Sequence, residues 1–133
     1  MPERPPRRVK FVRASLELVP PDECLAQVEL LRGEVGSFLG KARGGRSSEE
    51  GLRATARATA DALTQAVGGG HQIKVHGVET MDAFGKEAIL VHLADQQANR
   101  TQALMGFCVA GQDPTRAAAL AVLNAANRVL DVG

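Results

Sequence analysis

The three histidines, His71, His76 and His92, are the residues of this sequence best suited to metal binding or proton transfer. His71 and His76 are five positions apart in a segment with strand periodicity, which places them on opposite faces of a sheet. His92 belongs to the next strand and has no carboxylate at a chelating spacing. The spacing favours surface or cross-strand polar roles, and we predict no metal site.

The two cysteines and the serines offer no nucleophile signature. Cys24 and Cys108 form no CxxC pair, and neither serine nor lysine occurs in a known catalytic motif. Two cysteines in a chain without an export signal are expected to be reduced and buried. We therefore predict no catalytic residue and no cofactor. An enzyme remains an alternative only if a dimer interface assembles a site that one chain does not show.

A glycine-rich segment, Gly40 to Ser48, precedes a predicted helix and is the best candidate for ligand binding. Backbone N–H groups and a helix N-terminus attract anions, and Lys41, Arg43 and Arg46 add positive charge. The order of residues is not that of a nucleotide-binding P-loop, and a turn into a capped helix is the plainer interpretation. Together with the matching loop of the second half, the predicted ligand-binding residues are Lys41, Arg43, Arg46, Ser47, Ser48, Gln112, Asp113 and Thr115.

The N-terminus carries a second basic cluster. Residues 1–8 are rich in proline and arginine and are predicted to be a disordered arm. With Lys10 and Arg13, the arm could contact phosphates, so an RNA-binding module that uses the arm and the Lys41–Arg46 loop is the alternative function. Solubility of a disordered tail explains the charges of the arm more simply. The first predicted helix adds no basic surface, because acidic residues offset its arginines.

Composition limits the function further. The chain has a net charge of +1 and only 3% aromatic residues, which disfavours a general attraction to nucleic acid and stacking platforms for bases. No run of eighteen apolar residues occurs. We predict a cytoplasmic protein without membrane contact.

Apolar periodicity predicts two halves with the same plan. In the first half, three strands lie at about residues 9–18, 24–31 and 37–43. A helix follows that begins at Ser47, where Glu50 completes a capping box. A narrow stripe that includes Leu52, Ala56 and Leu63 is predicted to face the sheet. Gly68 to Gly70 ends the helix.

The second half repeats this order. Strands are predicted at residues 71–83, 87–94 and 102–110, with a polar hairpin loop at residues 95–101. Asp113 and Pro114 are a strong helix start because aspartate caps the first turn and proline needs no N–H there. The helix is predicted to end near Asp131.

The two halves can be aligned by their glycines. Gly40 lies seven residues before Ser47, and Gly106 lies seven residues before Asp113. The apolar stripes then match Ala56 with Leu123, 67 positions apart. We predict a single α+β domain at residues 9–133, with a βββα unit at 9–67 and another at 71–131. Each unit has an antiparallel sheet covered by one helix, and the units are related by a pseudo-two-fold axis.

The second predicted helix contains the run Asn124-Ala125-Ala126-Asn127-Arg128. With the tandem βββα plan, this run resembles the C-terminal allosteric, dimerisation domain of 2-isopropylmalate synthases. The resemblance implies a pseudo-symmetric fold, dimerisation and leucine binding near the helix-entry loops. Those loops here lack the family's glycine-aspartate ligand loop. The resemblance does not extend to the barrel that performs the condensation, so it implies no synthase chemistry.

These observations predict a non-catalytic module that binds a small ligand or a protein and acts in regulation. One helix cannot cover a three-stranded sheet completely, so apolar surface can remain for a second chain. A symmetric homodimer is the expected assembly, and a small anion is the expected ligand.

Overall fold

The computed structural model describes residues 9–130, so the predicted arm at residues 1–8 lies outside the described residues. The described chain has the order βββαβββα, which confirms the predicted α+β class with two tandem units. The elements are β1 Lys10–Val19, β2 Glu23–Arg32, β3 Gly36–Gly45, α1 Ser48–Val67, β4 Gln72–Ala83, β5 Lys86–Gln97, β6 Arg100–Val109 and α2 Pro114–Leu130.

Each unit forms its own antiparallel sheet, with strand order β1-β2-β3 in the first sheet and β4-β5-β6 in the second. The central strand β2 shows why one face is buried. Cys24, Ala26, Val28 and Leu30 are all buried, whereas the residues between them are half-buried. This period of two is that of a strand whose one face packs against a helix.

The predicted loop at residues 95–101 is wrong. β5 continues to Gln97, β6 begins at Arg100, and these two residues pair across a turn of only Ala98 and Asn99. The polar residues of this stretch are typical of loops, which is why the sequence predicts a loop. Their backbone groups are nevertheless satisfied by the hairpin ladder, which does not depend on side-chain polarity.

Each helix packs on its own sheet and also contacts the first strand of the other unit. Helix α1 lies on β2 and β3 and contacts β4, whereas α2 lies on β5 and β6 and contacts β1. Helix α1 is consequently buried over most of its circumference, not along the predicted narrow stripe. Its exposed positions recur every four residues, at Arg53, Arg57, Asp61 and Gln65.

One glycine in each sheet, Gly40 or Gly106, allows the helix of that unit to approach closely. A Cβ atom added to Gly40 would collide with the carbonyl of Ala58 and lie 2.6 Å from the amide nitrogen of Ala62. A Cβ atom on Gly106 would meet Ala121 and Ala125 in the same way, again 2.6 Å from the second amide nitrogen. The glycine spacing that aligns the two halves in the sequence therefore has a packing cause.

The same symmetry appears in the hydrogen bonds between each helix and its edge strand. The amide of Lys41 donates to the Asp61 carboxylate, and the amide of Phe107 donates to the Asn124 side chain, both at 3.2 Å. Two positions earlier, the carbonyl of each strand accepts from a helix side chain. The pairs are Gln65 with Leu39 and Arg128 with Met105. Backbone groups of β3 and β6 that could otherwise pair with another strand are thus occupied.

A third pair of contacts ties each helix to the other unit. Thr64 Oγ1 accepts from the amide of Ile73 at 3.0 Å. Asn127 accepts from the amide of Val9 and donates to its carbonyl, both at 3.1 Å. The start of each unit's first strand is therefore held by the helix of the other unit.

These contacts correct the predicted helix alignment. Residues of the third strands, β3 and β6, correspond at a separation of 66 positions, as in Gly40 and Gly106, but helix residues correspond at 63, as in Thr64 and Asn127. The predicted separation of 67 is wrong by about one helical turn. In a helix rich in alanine the apolar stripe looks similar after each turn, so its pattern does not determine the register.

We expect Asn127→Ala to lower the free energy of unfolding by roughly 1–3 kcal/mol, because the backbone amide and carbonyl of the buried Val9 would lose their hydrogen bonds to the Asn127 side chain. Urea unfolding of the variant and of wild type gives this difference. Asn99→Ala, in the exposed β5–β6 turn, is the control and should change stability little. Equal effects of the two substitutions would contradict a stabilising role for the hydrogen bonds between Asn127 and Val9.

Candidate interaction surface

The face of each sheet that points away from the helices is open to solvent, and the two open faces differ in chemistry. On the first sheet this face carries Lys10, Arg13, Glu17, Glu29, Lys41 and Arg43. Arg13 and Glu29 form an ion pair of 2.8 Å between β1 and β2. Leu25, Leu31 and Leu39 lie between these charged residues on the same face, so the first open face is mixed, with charged and apolar side chains interspersed.

The open face of the second sheet is apolar. Around Leu90, the outward-facing residues of β5 and β6, together with Met81 of β4, are Met81, Ala88, Leu90, His92, Met105, Phe107 and Val109. The charged Lys74 and Glu79 also face outward, from the edge strand β4. Four of the apolar side chains are large and exposed: Met105 and Phe107 at 60%, Met81 at 50% and Val109 at 48%. Contiguous exposed apolar surface of this kind marks interaction sites.

The first unit provides an internal comparison. Leu39, Lys41 and Arg43 of β3 correspond to Met105, Phe107 and Val109 of β6 at the separation of 66 positions. The backbone plan is the same, so the fold does not require apolar residues at the last two positions. Apolar side chains at these two positions are therefore a specific feature of the second unit.

The sequence analysis missed this surface, although a signal is present. From Leu104 to Ala110 both parities of β6 are apolar or glycine, and β5 is apolar on both parities from Ala88 to Val91. A strand that is apolar on both faces is typical of burial on both faces. Helix α2 covers only one of those two faces, and the other stays open.

A concavity of about 330 Å³ lies on the β4 side of this open face. It is lined by His76, Gly77, Glu79, Leu90, Val91, His92 and Met105. The β4–β5 register shifts between Val75 and Gly77, so His76 is the extra residue of a β-bulge. The rings of His76 and His92 lie 5.6 Å apart between centroids, at 76° to one another.

The third histidine belongs to a separate buried cluster. His71 Nδ1 lies 2.8 Å from Asp95 Oδ2 and 2.9 Å from Gln97 Nε2. One ring nitrogen cannot donate to the carboxylate and accept from the amide together, and the charged acceptor makes the stronger bond. Asp95 is 3% exposed, and its Oδ1 has no hydrogen-bond partner among the described residues. The cluster fixes the start of β4 against the end of β5.

The residues predicted to bind a ligand lie on the open face of the first sheet and at the starts of the two helices. Lys41 and Arg43 lie on the open face of the first sheet, and Arg46 is exposed beyond it. Ser47 Oγ accepts from the amide of Glu50 as the helix cap at 3.2 Å. Ser48 is the exposed first residue of α1.

In the second loop Asp113 Oδ1 accepts from the amide of Arg116 at 3.0 Å, so it caps α2 as predicted. Gln112 is exposed and Thr115 half-buried. Glu49 and Glu50 already place negative charge at the start of α1, where an anion would otherwise be favoured. Ligand binding by these loops stays a prediction.

Two further grooves are related by the pseudo-two-fold axis. One, of about 540 Å³, lies between α1 and β4, and its counterpart of about 490 Å³ lies between α2 and β1. Asp61 and Thr64 line the first, and Asn124 and Asn127 line the second. All four side chains are hydrogen-bonded to backbone groups. The grooves are seams between elements, and these four side chains are already engaged in hydrogen bonds.

Within residues 9–130, no three side chains of the types His, Cys, Asp or Glu lie close enough to share a metal ion. Among the same residues, no helix is long and apolar enough to cross a membrane. Cys24 and Cys108 are both free thiols, the first buried and the second half-buried.

Comparison with known proteins gives no family for the chain. No protein-family model matches it, and no curated protein sequence shows significant similarity to it. The resemblance to the regulatory domain of 2-isopropylmalate synthases stays a prediction, and the function has to be argued from the surface itself.

Proposed function

We propose that this chain is a non-catalytic interaction module that binds a second copy of itself through the open face of the second sheet. The observation that carries the proposal is the exposure of Met105, Phe107 and Val109 on the strand whose counterpart in the first unit carries lysine and arginine. Burial of a Phe, Val or Met side chain stabilises an association by about 1.5–3 kcal/mol.

The charges at the rim of the face support a second copy as the partner. Lys74 and Glu79 both point outward from β4, Lys74 beside Ala94 and Glu79 beside Leu90. In a two-fold pair, each lysine can approach the glutamate of the other copy. The middle of the face carries no charged side chain on β6, so two copies meet without like-charge repulsion.

The size of the face agrees with a modest dimer interface. Strands spaced by about 4.8 Å that rise about 3.4 Å per residue give a three-stranded face of roughly 500 Å² in projection. Specific interfaces bury about 600–1,000 Å² on each partner. The projected area of the face is below that range. The relief of its side chains and the exposed Phe84 in the β4–β5 hairpin turn add buried area to it.

Contacts between copies can be detected directly by NMR. In a mixture of isotope-labelled and unlabelled protein, we expect intermolecular nuclear Overhauser effects between the Phe107 ring and the methyl groups of Met81, Met105 or Val109. Effects that arise only from the first sheet would contradict the proposed surface. A mixture without intermolecular effects at millimolar concentration would contradict self-association.

A further inference from the structure

We propose that the concavity formed by His76, His92 and Met105 binds one monovalent copper ion. This site lies on the open face of the second sheet, but its three donors come from one chain. It therefore does not rest on the face being a dimer contact.

The geometry of β4 creates the site. The β-bulge adds His76 to the strand just before Gly77, which pairs with His92, and the extra residue turns its side chain toward the open face. The spacing of His71 and His76 in the sequence gives no sign of this contact, because simple alternation does not include a bulge.

Gly77 leaves the space above His92 empty. A Cβ atom added there would meet nothing within 4 Å. In the first unit the equivalent residues are Arg13 and Glu29, whose ion pair fills this place. The first unit also has a bulge, between Phe11 and Arg13, and there the extra residue is Val12. The second unit has a bulge at the same place, carries an imidazole on it and lacks the side chain that would block access.

The separation of the two rings fits one shared ion. A metal–nitrogen bond of about 2.0–2.1 Å places the ion roughly 3.2 Å from the centroid of an imidazole ring. Two rings whose centroids are 5.6 Å apart would then bind an ion with a wide N–metal–N angle, between the tetrahedral and linear arrangements. Rotation of the two exposed side chains can supply the remaining adjustment.

The third donor determines the metal. Met105 is the direct cross-strand partner of His92, so its side chain lies beside the imidazole on the same face. A thioether is a soft ligand that selects Cu⁺, whereas imidazole alone also suits zinc and nickel. Glu79 lines the same concavity but pairs with Leu90, one step further along the face. Two imidazoles and a thioether in one row therefore favour monovalent copper.

The test is a titration of the purified chain with Cu⁺ under anaerobic conditions, in competition with a chromophoric copper chelator. We expect one ion per chain. His76→Gln, His92→Gln and Met105→Leu should each weaken binding at least tenfold. Met81→Leu changes a methionine on the same face outside the concavity and should have no effect. Leucine is the residue at the position equivalent to Met105 in the first unit, so Met105→Leu should fold.

Other outcomes would overturn the proposal. Binding that survives both histidine substitutions, or that is lost in Cys108→Ala, would assign the copper to a thiol. Zinc bound more tightly than Cu⁺, with no effect of Met105→Leu, would remove methionine from the site. The Phe107→Lys/Val109→Arg variant should bind Cu⁺ as wild type does. Loss of binding there would mean that the donors come from two copies. A dimer that binds no copper would refute this site and leave the proposed function intact.

Discussion

The double variant Phe107→Lys/Val109→Arg is expected to be folded and monomeric at concentrations where the wild-type chain is a dimer. The two substitutions give β6 the residues found at the equivalent positions of β3, Lys41 and Arg43. Phe107 and Val109 are 60% and 48% exposed, so the stability of one chain should change by less than about 1 kcal/mol. Association loses the burial of four apolar side chains, two from each copy, and gains positive charges within the contact.

We expect the dissociation constant to rise at least about 100-fold, which corresponds to about 2.7 kcal/mol. Sedimentation velocity over a range of concentrations measures this change, and urea unfolding measured at a concentration where both proteins are monomeric checks that the variant is as stable as wild type. The matched control is Lys41→Ala/Arg43→Ala on the first sheet, which should leave association unchanged. If the control and the double variant weaken association equally, the surface is not specific to the second sheet.

The substitutions Gly40→Ala and Gly106→Ala are each expected to destabilise the fold by about 3 kcal/mol or more. In both cases the added methyl group would overlap a helix carbonyl and lie 2.6 Å from a helix amide nitrogen. A backbone cannot move aside as a flexible side chain can. The helix would have to shift away from its sheet, and its hydrogen bonds to the edge strand would lengthen with it.

Gly77→Ala is the matched control, because a Cβ atom at Gly77 meets nothing within 4 Å. We expect this variant to differ from wild type by less than about 1 kcal/mol, since alanine is at least as favourable as glycine in a strand. Chemical unfolding of the three variants gives the comparison. If Gly40→Ala were as stable as Gly77→Ala, the close helix approach would be wrong.

The repeated architecture could be predicted from the sequence because its signals are local. Alternation in β1 and β2, the cap at Ser47 and the Asp113-Pro114 helix start are set by neighbouring residues. The equal spacing of Gly40 and Gly106 from their helix starts is also visible in the chain. Its cause, the contact with Ala58 and Ala121, is visible only in the packed structure.

The helix alignment and the second hairpin could not be predicted in the same way. A run such as Ala117 to Ala119 presents similar side chains on all sides of the helix, so only long-range contacts such as Asn127 with Val9 fix the register. The hairpin at residues 95–101 has polar residues that are usual in loops. There the backbone ladder between β5 and β6 decides the structure.

For the candidate surface, the sequence shows that β6 is apolar on both faces but not which face stays open. Phe107 and Val109 are ordinary core residues by type, and composition does not tell which face of β6 the helix covers. Gly106 gives the answer, because its contact with α2 assigns Phe107 to the opposite face. The β-bulge at His76 is likewise set by the pairing of β4 with β5, and no local sequence pattern predicts it.

Self-association through the second sheet is the central claim, and the mass of the chain in solution tests it most directly. Sedimentation equilibrium of the wild-type protein should give twice the chain mass of 14.0 kDa at high concentration and approach the single-chain mass on dilution. The Phe107→Lys/Val109→Arg variant should give the single-chain mass throughout. A wild-type chain that stays monomeric at every concentration, or a variant that still dimerises like wild type, would contradict the account.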